Sequence, residues 1–298
     1  GVSGIKIRED DQILDIIKSR THDNLLVFTK FGLVYSLPTY RIPEGSRYAM
    51  GKFISNLLEF KKDDKITSII TVKDNEYSGY LFFVTKNGVV KRTLLKLYSK
   101  IRRTGIIAMH FREGDELVYV LRTNGSNTVM ISTSNGQSVR FNELDARELG
   151  RSASGVIGIR FKDFKDGDYV AGATVCDKPT IFTITENGYG KRTDLGEYRI
   201  QNRGGTGIIN IQTDERNGRI IEVKSISDSD EILVSTNKGH IIRTSAVAIR
   251  VIGRNTKGVK IMRMRKGELV SSAVIIPRDV LEEKENNTVA MKEENEKL

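Results

Sequence analysis

The sequence is poor in features that would each point to a particular class of protein. It has one cysteine, four prolines and no tryptophan in 298 residues, and aromatic residues make up 7% of it. A lone cysteine, Cys176, excludes an internal disulfide framework and a zinc site built from cysteines, and it fits a reducing compartment. No apolar run approaches the roughly 18 residues that a membrane-spanning helix needs, and residues 1–20 lack a signal-peptide pattern. We therefore expect a cytoplasmic protein with no membrane partner.

Motifs for catalysis and for cofactors are missing as well. There is no Gly-x-x-x-x-Gly-Lys-Ser/Thr loop that would bind ATP. His22, His110 and His240 are scattered, and none has a cysteine or carboxylate at the spacing of metal ligands. We predict no catalytic residue, no metal site and no cofactor in this chain.

Positive charge is in excess and unevenly distributed. The chain has 48 Lys+Arg against 38 Asp+Glu, a net charge of +10. Residues 278–298 carry four basic and seven acidic residues without apolar periodicity, which predicts a flexible acidic tail. Without that tail the net charge of the body, residues 1–277, rises to +13. A soluble body this basic indicates an anionic partner, with nucleic acid favoured because no basic amphipathic helix is visible.

A pattern of about fifty residues recurs along the body. It consists of an apolar strand, a short turn ending in glycine and a second apolar strand, which is typical of a β-hairpin. The turn glycines are Gly32, Gly88, Gly136, Gly188 and Gly239. An arginine-containing loop follows each hairpin, then further apolar strands such as 207–213, and an apolar block such as 219–226 closes each unit.

The repeat predicts an all-β, propeller-like disc of four-stranded blades, because radial closure protects sheet edges. We place the repeats at about 1–19, 20–73, 74–123, 124–176, 177–227 and 228–277. The first is only the rear half of a unit, since GVSGIKIRED (1–10) aligns with GVIGIRFKDF (155–164). The chain is thus expected to hold five complete repeats and half of a sixth, and to begin inside a unit of a longer polypeptide.

Basic residues recur at two positions of the repeat. One lies four residues past the turn glycine and is sometimes preceded by lysine, and the other lies in the loop after the hairpin. Equivalent positions in a closed disc lie on a ring, so we expect a basic belt that binds the phosphates of DNA with little sequence preference. The alternative is that each arginine pairs with an acid inside its own blade. The predicted DNA-binding residues are Arg47, Lys91, Arg92, Arg102, Arg103, Arg140, Arg151, Lys191, Arg192, Arg203, Arg243, Arg254 and Lys257.

Several segments resemble the C-terminal domains of the A subunits of DNA gyrase, namely TENGYGKRT (185–193), VIGRNTKGV (251–259) and GDEL (114–117). The resemblance covers residues 1 to about 277. It implies a six-bladed β-pinwheel in which neighbouring blades exchange a hairpin. It also implies that double-stranded DNA wraps around the rim, so that an A2B2 gyrase holoenzyme, which contains the B subunit too, can introduce negative supercoils. The ATP and magnesium chemistry would belong to other parts of that nucleoid-associated type II topoisomerase, so this chain alone is not expected to be an enzyme.

One segment departs from the pattern of that family. The family's box, Gln-Arg-Arg-Gly-Gly-Lys-Gly, resembles the residues Gln201, Asn202, Arg203, Gly204, Gly205, Thr206 and Gly207, in which asparagine and threonine replace two basic residues. By repeat count this segment lies in the fifth unit, whereas the family box belongs to the first, whose remnant starts at Gly1. We interpret 201–207 as the repeat equivalent of the box. Two alternatives remain, the matching domain of topoisomerase IV and a protein-binding propeller.

Overall fold

The computed structural model describes residues 12–45, 51–162 and 167–276, and their regular structure is strand with short 3₁₀ turns. The strands are β1 (Asn24–Thr29), β2 (Leu33–Pro38), β3 (Ile66–Val72), β4 (Tyr80–Thr85), β5 (Val89–Leu94), β6 (Ile106–Ile107), β7 (Leu117–Thr123), β8 (Thr128–Thr133), β9 (Gln137–Asn142), β10 (Val156–Ile157), β11 (Val170–Val175), β12 (Thr180–Thr185), β13 (Tyr189–Asp194), β14 (Ile208–Ile209), β15 (Ile220–Ile226), β16 (Glu231–Thr236), β17 (Ile241–Ser245), β18 (Val259–Lys260) and β19 (Val270–Ile276). The 3₁₀ turns are Thr39–Arg41, Ile54–Asn56, Lys73–Asn75, Leu95–Tyr98, Glu143–Asp145, Leu195–Glu197 and Ala246–Ala248.

The strands form five blades, which we name A to E in chain order. Blade A has the order β3-β1-β2-β6, blade B β7-β4-β5-β10, blade C β11-β8-β9-β14, blade D β15-β12-β13-β18, and blade E β19-β16-β17. The first three strands of each blade come from one repeat. In blades A to D the fourth is a two-residue strand supplied by the next repeat. Neighbouring blades are therefore joined by exchanged strands.

This architecture confirms the predicted all-β, propeller-like fold, with five blades in the described residues where six were predicted. The strands predicted after each arginine loop, such as 207–213, are shorter than expected. Only two residues of each pair with the preceding blade, because the chain then turns to wrap that blade's hairpin. A sixth blade is not present in the described residues. Residues 1–11 of the predicted half repeat, Arg47 and the predicted tail (278–298) lie outside that part of the chain. The limits of the domain and tail stay predictions.

The hairpin glycines fit their positions for two physical reasons. Gly88 has φ +81°, a left-handed conformation that glycine adopts without strain. A Cβ atom built on it would also lie 2.7 Å from the carbonyl oxygen of Ile159, in the following repeat. In return the amide of Gly158 donates to the Gly88 carbonyl oxygen at 2.8 Å. The same contact recurs at Gly32, Gly136 and Gly188. The glycine thus lets the next repeat pack directly against the hairpin tip.

The hydrophobic core is divided into clusters that lie between neighbouring blades. Successive strand residues point to opposite faces of a sheet, so Phe83 packs toward blade A and Phe82 toward blade C. The Phe83 ring lies 5.7 Å from that of Phe28, and the Phe82 ring lies 6.0 Å from that of Phe141. All four side chains are fully buried. Burial on both faces explains the continuous apolar run LFFV in β4, which a half-exposed sheet would not need.

The inner strands β3, β7, β11, β15 and β19 adjoin one another in that order. The short strands β6, β10, β14 and β18 lie at the opposite edges of their sheets and form the rim. The segments leading into them, which we call the rim loops, are residues 99–105, 146–155, 198–207 and 249–258. This arrangement places the predicted basic positions on the second strand and on the rim loop of each unit.

Candidate nucleic-acid interface

The arginine that recurs on the second strand of the hairpin joins two blades. Arg92 on β5 donates from Nε to the carbonyl oxygen of Ala146 at 3.1 Å. Arg140 on β9 donates from Nη1 to the carbonyl oxygens of Leu195 and Tyr198 at 3.1 and 3.0 Å. Each acceptor lies at the 3₁₀ turn or at the start of the rim loop of the following repeat. A planar guanidinium suits this role because it carries several donors in a fixed geometry.

Arg192 shows the most complete version of this contact. Its Nε donates to Thr180 Oγ1 at 3.2 Å, its Nη1 to the Ala246 carbonyl oxygen at 2.8 Å, and its Nη2 pairs with Asp228. Alongside it, the amide of Ile252 donates to the Arg192 carbonyl oxygen at 2.9 Å. Arg192 is 4% exposed and Arg92 is 7% exposed. We name this set of bonds the arginine clasp.

The two lysines that precede these arginines are fully buried. Lys91 donates to the carbonyl oxygens of Ala108 and Arg151. Lys191 donates to the carbonyl oxygens of Gly253 and Arg254 at 2.8 and 2.5 Å. Burial lowers the pKa of each ammonium to about 7, because a desolvated cation loses its hydration.

These positions correct the sequence-based prediction. Lys91, Arg92, Lys191 and Arg192 were expected on an exposed basic belt, and that placement is wrong. Arg140 is half-buried with its guanidinium on backbone carbonyls. The alternative, in which each arginine pairs with an acid of its own blade, does not hold for the arginine clasp either. The acceptors of the clasp are chiefly carbonyl oxygens of the next repeat.

Three of the predicted rim-loop arginines are half-buried, and two of these, Arg203 and Arg254, also reach the preceding repeat. Arg203 donates to the carbonyl oxygens of Asp145 at 2.7 Å and Ile157 at 2.9 Å. Arg254 donates from Nη1 to the carbonyl oxygen of Ile209 at 2.5 Å. Arg151, at the equivalent position in the 146–155 loop, is half-buried too. These loops are therefore tied to the short outer strands on which a ligand at the rim would rest.

Four predicted residues carry charge at the surface, namely Arg102, Arg103, Arg243 and Lys257. Arg103 lies 3.8 Å from Glu59, Arg243 pairs with Glu231, and Lys257 lies 2.5 Å from Asp214. Solvent-exposed ion pairs of this kind contribute little to stability, typically about 0–1 kcal/mol. A polyanion at the rim could therefore replace these carboxylates at small cost.

Sequence reasoning missed several exposed arginines, among them Arg216 and Arg160. Arg216 donates from Nε to Tyr189 Oη at 3.2 Å, which lowers the pKa of that phenol, and its guanidinium lies 5.0 Å from the Tyr189 ring centre. The Lys260 ammonium lies 5.5 Å from the same ring. Arg160 donates to the Gly204 carbonyl oxygen at 2.6 Å. A signal for Arg160 existed, because the position five residues after the loop glycine is polar and exposed in each repeat, as His110, Arg160, Gln212 and Arg263.

The box-like segment 201–207 forms the rim loop between blades C and D. The Gln201 amide donates to the Arg140 carbonyl oxygen at 2.8 Å, and the Gly204 amide donates to that of Gly158 at 2.6 Å. Gly207 has φ +78°, and a Cβ atom there would lie 2.3 Å from the Ser138 carbonyl oxygen. Asn202, Gly205 and Thr206 are exposed. The glycines thus shape the loop, and the two replaced basic positions are the ones that face solvent.

Within residues 12–45, 51–162 and 167–276, no group of three His, Cys, Asp or Glu side chains is placed to hold a metal ion. The same residues contain no helix of the length and apolarity that crossing a membrane requires.

Comparisons with known proteins agree on one family. The family model described as "DNA gyrase C-terminal domain, beta-propeller" matches residues 1–20, 23–73, 79–124, 127–177, 179–227 and 230–277. The A subunit of DNA gyrase from Haloquadratum walsbyi is 41% identical over 93% of this chain and 33% of its own length. That of Staphylococcus aureus strain MRSA252 is 39% identical over 99% of this chain and 33% of its own length. The chain thus spans about a third of these curated relatives.

Two solved structures share the fold. The C-terminal domain of DNA topoisomerase IV has a TM-score of 0.79 and 28% identity, covering 92% of this chain and 85% of that one. A DNA gyrase A C-terminal domain has a TM-score of 0.75 and 23% identity, covering 87% of this chain and 84% of that one.

Proposed function

Because the chain belongs to the DNA gyrase C-terminal β-propeller family, we propose that its rim binds double-stranded DNA and bends it around the blades. The observation that carries this proposal is the set of exposed cations on or beside the rim loops, namely Arg102, Arg103, Arg160, Lys257 and Lys260. Exposed cations spread over several blades suit a phosphate backbone, which is contacted without reading bases. The binding is therefore expected to be weakly sequence-dependent and strongly salt-dependent.

In this proposal the chain serves a larger enzyme. Wrapping by this domain would let an A2B2 gyrase holoenzyme, built from the whole A subunit together with the B subunit, introduce negative supercoils in the nucleoid. ATP-dependent strand passage would take place elsewhere in that assembly. The names of the similar curated proteins support gyrase over topoisomerase IV. Bending a 20–30 bp stretch costs on the order of 1–6 kcal/mol, which contacts from several blades would offset.

The direct test is a salt titration of DNA affinity. The variant R102Q/R103Q/R160Q/K257Q/K260Q removes five exposed cations, and K61Q/K62Q serves as a control at two exposed lysines before β3. We expect the five-site variant to bind every duplex sequence more weakly. The slope of log K against log salt should flatten by about 0.9 for each phosphate that the variant no longer neutralises. Unchanged affinity and slope in the five-site variant would overturn the DNA-binding proposal.

Supercoiling is tested in the whole assembly. Gyrase holoenzyme carrying the five-site variant should relax DNA but introduce fewer negative supercoils than the wild-type holoenzyme in a topology assay. Equal supercoiling would contradict the wrapping role.

A further inference from the structure

Blades B and D share a buried polar arrangement that the other blades lack. Three residues past the turn glycine stand Lys91 and Lys191, where blades A, C and E have Tyr35, Val139 and Ile242. Ten residues past the same glycine stand Tyr98 and Tyr198, where the other blades have Ile42, Ala146 and Ile249. Both lysines and Tyr98 have no exposed surface, and Tyr198 is 1% exposed. The pair of a lysine three residues and a tyrosine ten residues past the turn glycine therefore occurs in two repeats, and three repeats have neither residue at its position.

The ammonium groups of these lysines lie beneath the rim loops. Lys91 donates to the Arg151 carbonyl oxygen in the 146–155 loop, and it also donates to the Ala108 carbonyl oxygen, which Tyr98 Oη reaches at 3.3 Å. Lys191 donates to the carbonyl oxygens of Gly253 and Arg254 in the 249–258 loop. Each lysine comes from one repeat and its loop acceptor from the next. Both loops carry an arginine at the acceptor itself.

A buried ammonium is costly when an apolar residue fits the same position. Burying a charge costs several kcal/mol unless it is well compensated, and Val139 and Ile242 show that the fold accepts apolar side chains there. The compensation comes chiefly from backbone carbonyl oxygens, of which those of Arg151, Gly253 and Arg254 lie in rim loops, and the Phe83 ring lies 4.7 Å from the Lys91 ammonium. We therefore look for the function of each ammonium in the rim loop that it holds.

We propose that Lys91 and Lys191 are positioning residues that fix the rim loops carrying Arg151 and Arg254 in the geometry that receives the DNA backbone. This inference rests on the proposed DNA-binding function. It adds that blades B and D hold their loops partly through a buried ammonium, at a strand position where blades A, C and E have Tyr35, Val139 and Ile242. The charge of the two ammonium groups also adds to the positive potential that the DNA meets.

The first test needs no DNA. Amide hydrogen exchange is measured on the 298-residue chain with K91M and with K191M, because methionine has a similar length and no ammonium. We expect exchange in residues 148–155 of K91M and 251–258 of K191M to be at least about tenfold faster than in the wild type, since local opening becomes easier. The matched variant V139M, at the same strand position in blade C, introduces methionine without removing an ammonium, and it should alter exchange in residues 203–207 less than the lysine variants alter exchange in their loops. Unaltered exchange in both lysine variants would overturn the proposal.

The second test uses pH, to which a purely structural side chain would not respond. Lys91 faces Arg151, which together with burial lowers its pKa to about 7. Lys191 has a pKa of about 7, lowered by burial and by Arg254, against which Glu197 acts to raise it. At fixed salt, wild-type affinity for a DNA duplex should fall by at least about threefold from pH 6 to pH 9 as both ammonium groups lose their protons. The K91M/K191M variant should bind with little pH dependence and meet the wild type at high pH.

The outcomes distinguish the proposed DNA-binding function from the positioning role of the two lysines. They do so even if a methionine variant fails to fold, because the pH profile of DNA binding is measured on the wild type. A wild-type affinity that is flat from pH 6 to pH 9 would overturn the role of the ammonium charge. Failure of the wild-type chain to bind any duplex at low salt would overturn the proposed function and the DNA role of the lysines. In that case hydrogen exchange would still decide whether the lysines hold the loops.

Discussion

Blades D and E carry almost the same second strand in different surroundings. Lys191-Arg192-Thr193 in β13 corresponds to Ile242-Arg243-Thr244 in β17. In blade D the rim loop of the next repeat covers the strand, and Arg192 is buried in the arginine clasp. In blade E no such loop is present among the described residues, and Arg243 pairs with Glu231 of its own blade while staying half-exposed. The arginine is thus a structural residue or a surface charge depending on its neighbour.

The comparison shows why a repeated residue is a poor guide to a binding surface. A side chain that recurs once per repeat is expected wherever each unit must make the same contact with the next. The clasp meets that condition without any ligand. In the proposed function, the charge that meets DNA lies instead at positions such as Arg102 and Lys257, which stay exposed with the neighbouring blade in place.

Among the substitutions that test this comparison, one at Arg192 is expected to have the largest effect on stability. R192A removes one of the two donors to the Ala246 carbonyl oxygen, the other being the Ile249 amide at 3.0 Å, and it removes the charge opposite Asp228. We expect a loss of about 2–4 kcal/mol in the free energy of unfolding, measured by chemical denaturation. A loss below about 0.5 kcal/mol, within the usual range for surface substitutions, would show that the clasp does not join the blades.

The second effect concerns Lys191 and its counterpart Lys91. Their folded-state pKa of about 7 lies below the 10.5 of an unfolded lysine, so between these values the unfolded chain binds more protons. Stability should therefore rise with pH from about 7 toward 10. We expect the wild type to gain stability relative to K91M/K191M, by about 2 kcal/mol for each lysine between pH 7 and pH 9, from denaturation curves at each pH. If the free energy of unfolding changed with pH in the same way in the wild type and in K91M/K191M, the low pKa of the two lysines would be excluded.

A third and smaller effect belongs to blade E alone. Glu268 accepts hydrogen bonds from the Arg265 amide and Thr236 Oγ1 at 2.8 Å and pairs with His240, and these contacts lower its pKa to about 2 against a burial that would raise it. Its stabilisation is present above pH 4.5 and lost as pH falls toward 2. E268Q should be less stable than the wild type at pH 7 and equally stable near pH 2. An advantage of the wild type that persists at pH 2 would contradict this assignment.

The smallest effect is expected at Arg243. R243A removes a half-exposed ion pair with Glu231, and such pairs contribute at most about 1 kcal/mol. The thermal midpoint of R243A should therefore lie close to that of the wild type and well above that of R192A. A midpoint as low as that of R192A would mean that Arg243 has a partner equivalent to the clasp.

Sequence reasoning predicted the bladed fold because its signals are local. A turn glycine such as Gly188 and the apolar strands on either side of it specify a hairpin wherever the chain places it. The exposure of Lys191 could not be read in the same way, since it depends on the carbonyl oxygens of Gly253 and Arg254, about sixty residues later. Arg216 was missed for the same reason, because it lies in a turn and its partner Tyr189 lies on β13, in an earlier part of the chain.

The exchanged outer strands also constrain how such a chain changes in evolution. Each of blades A to D is completed by the following repeat, so a cut between two repeats leaves one sheet without its outer strand and one hairpin tip without its cover. A duplicated or deleted gene segment restores every junction only if its length is a whole number of repeats, wherever its ends fall. Blade number in this architecture is therefore expected to change by integers, and partial insertions are expected in the loops.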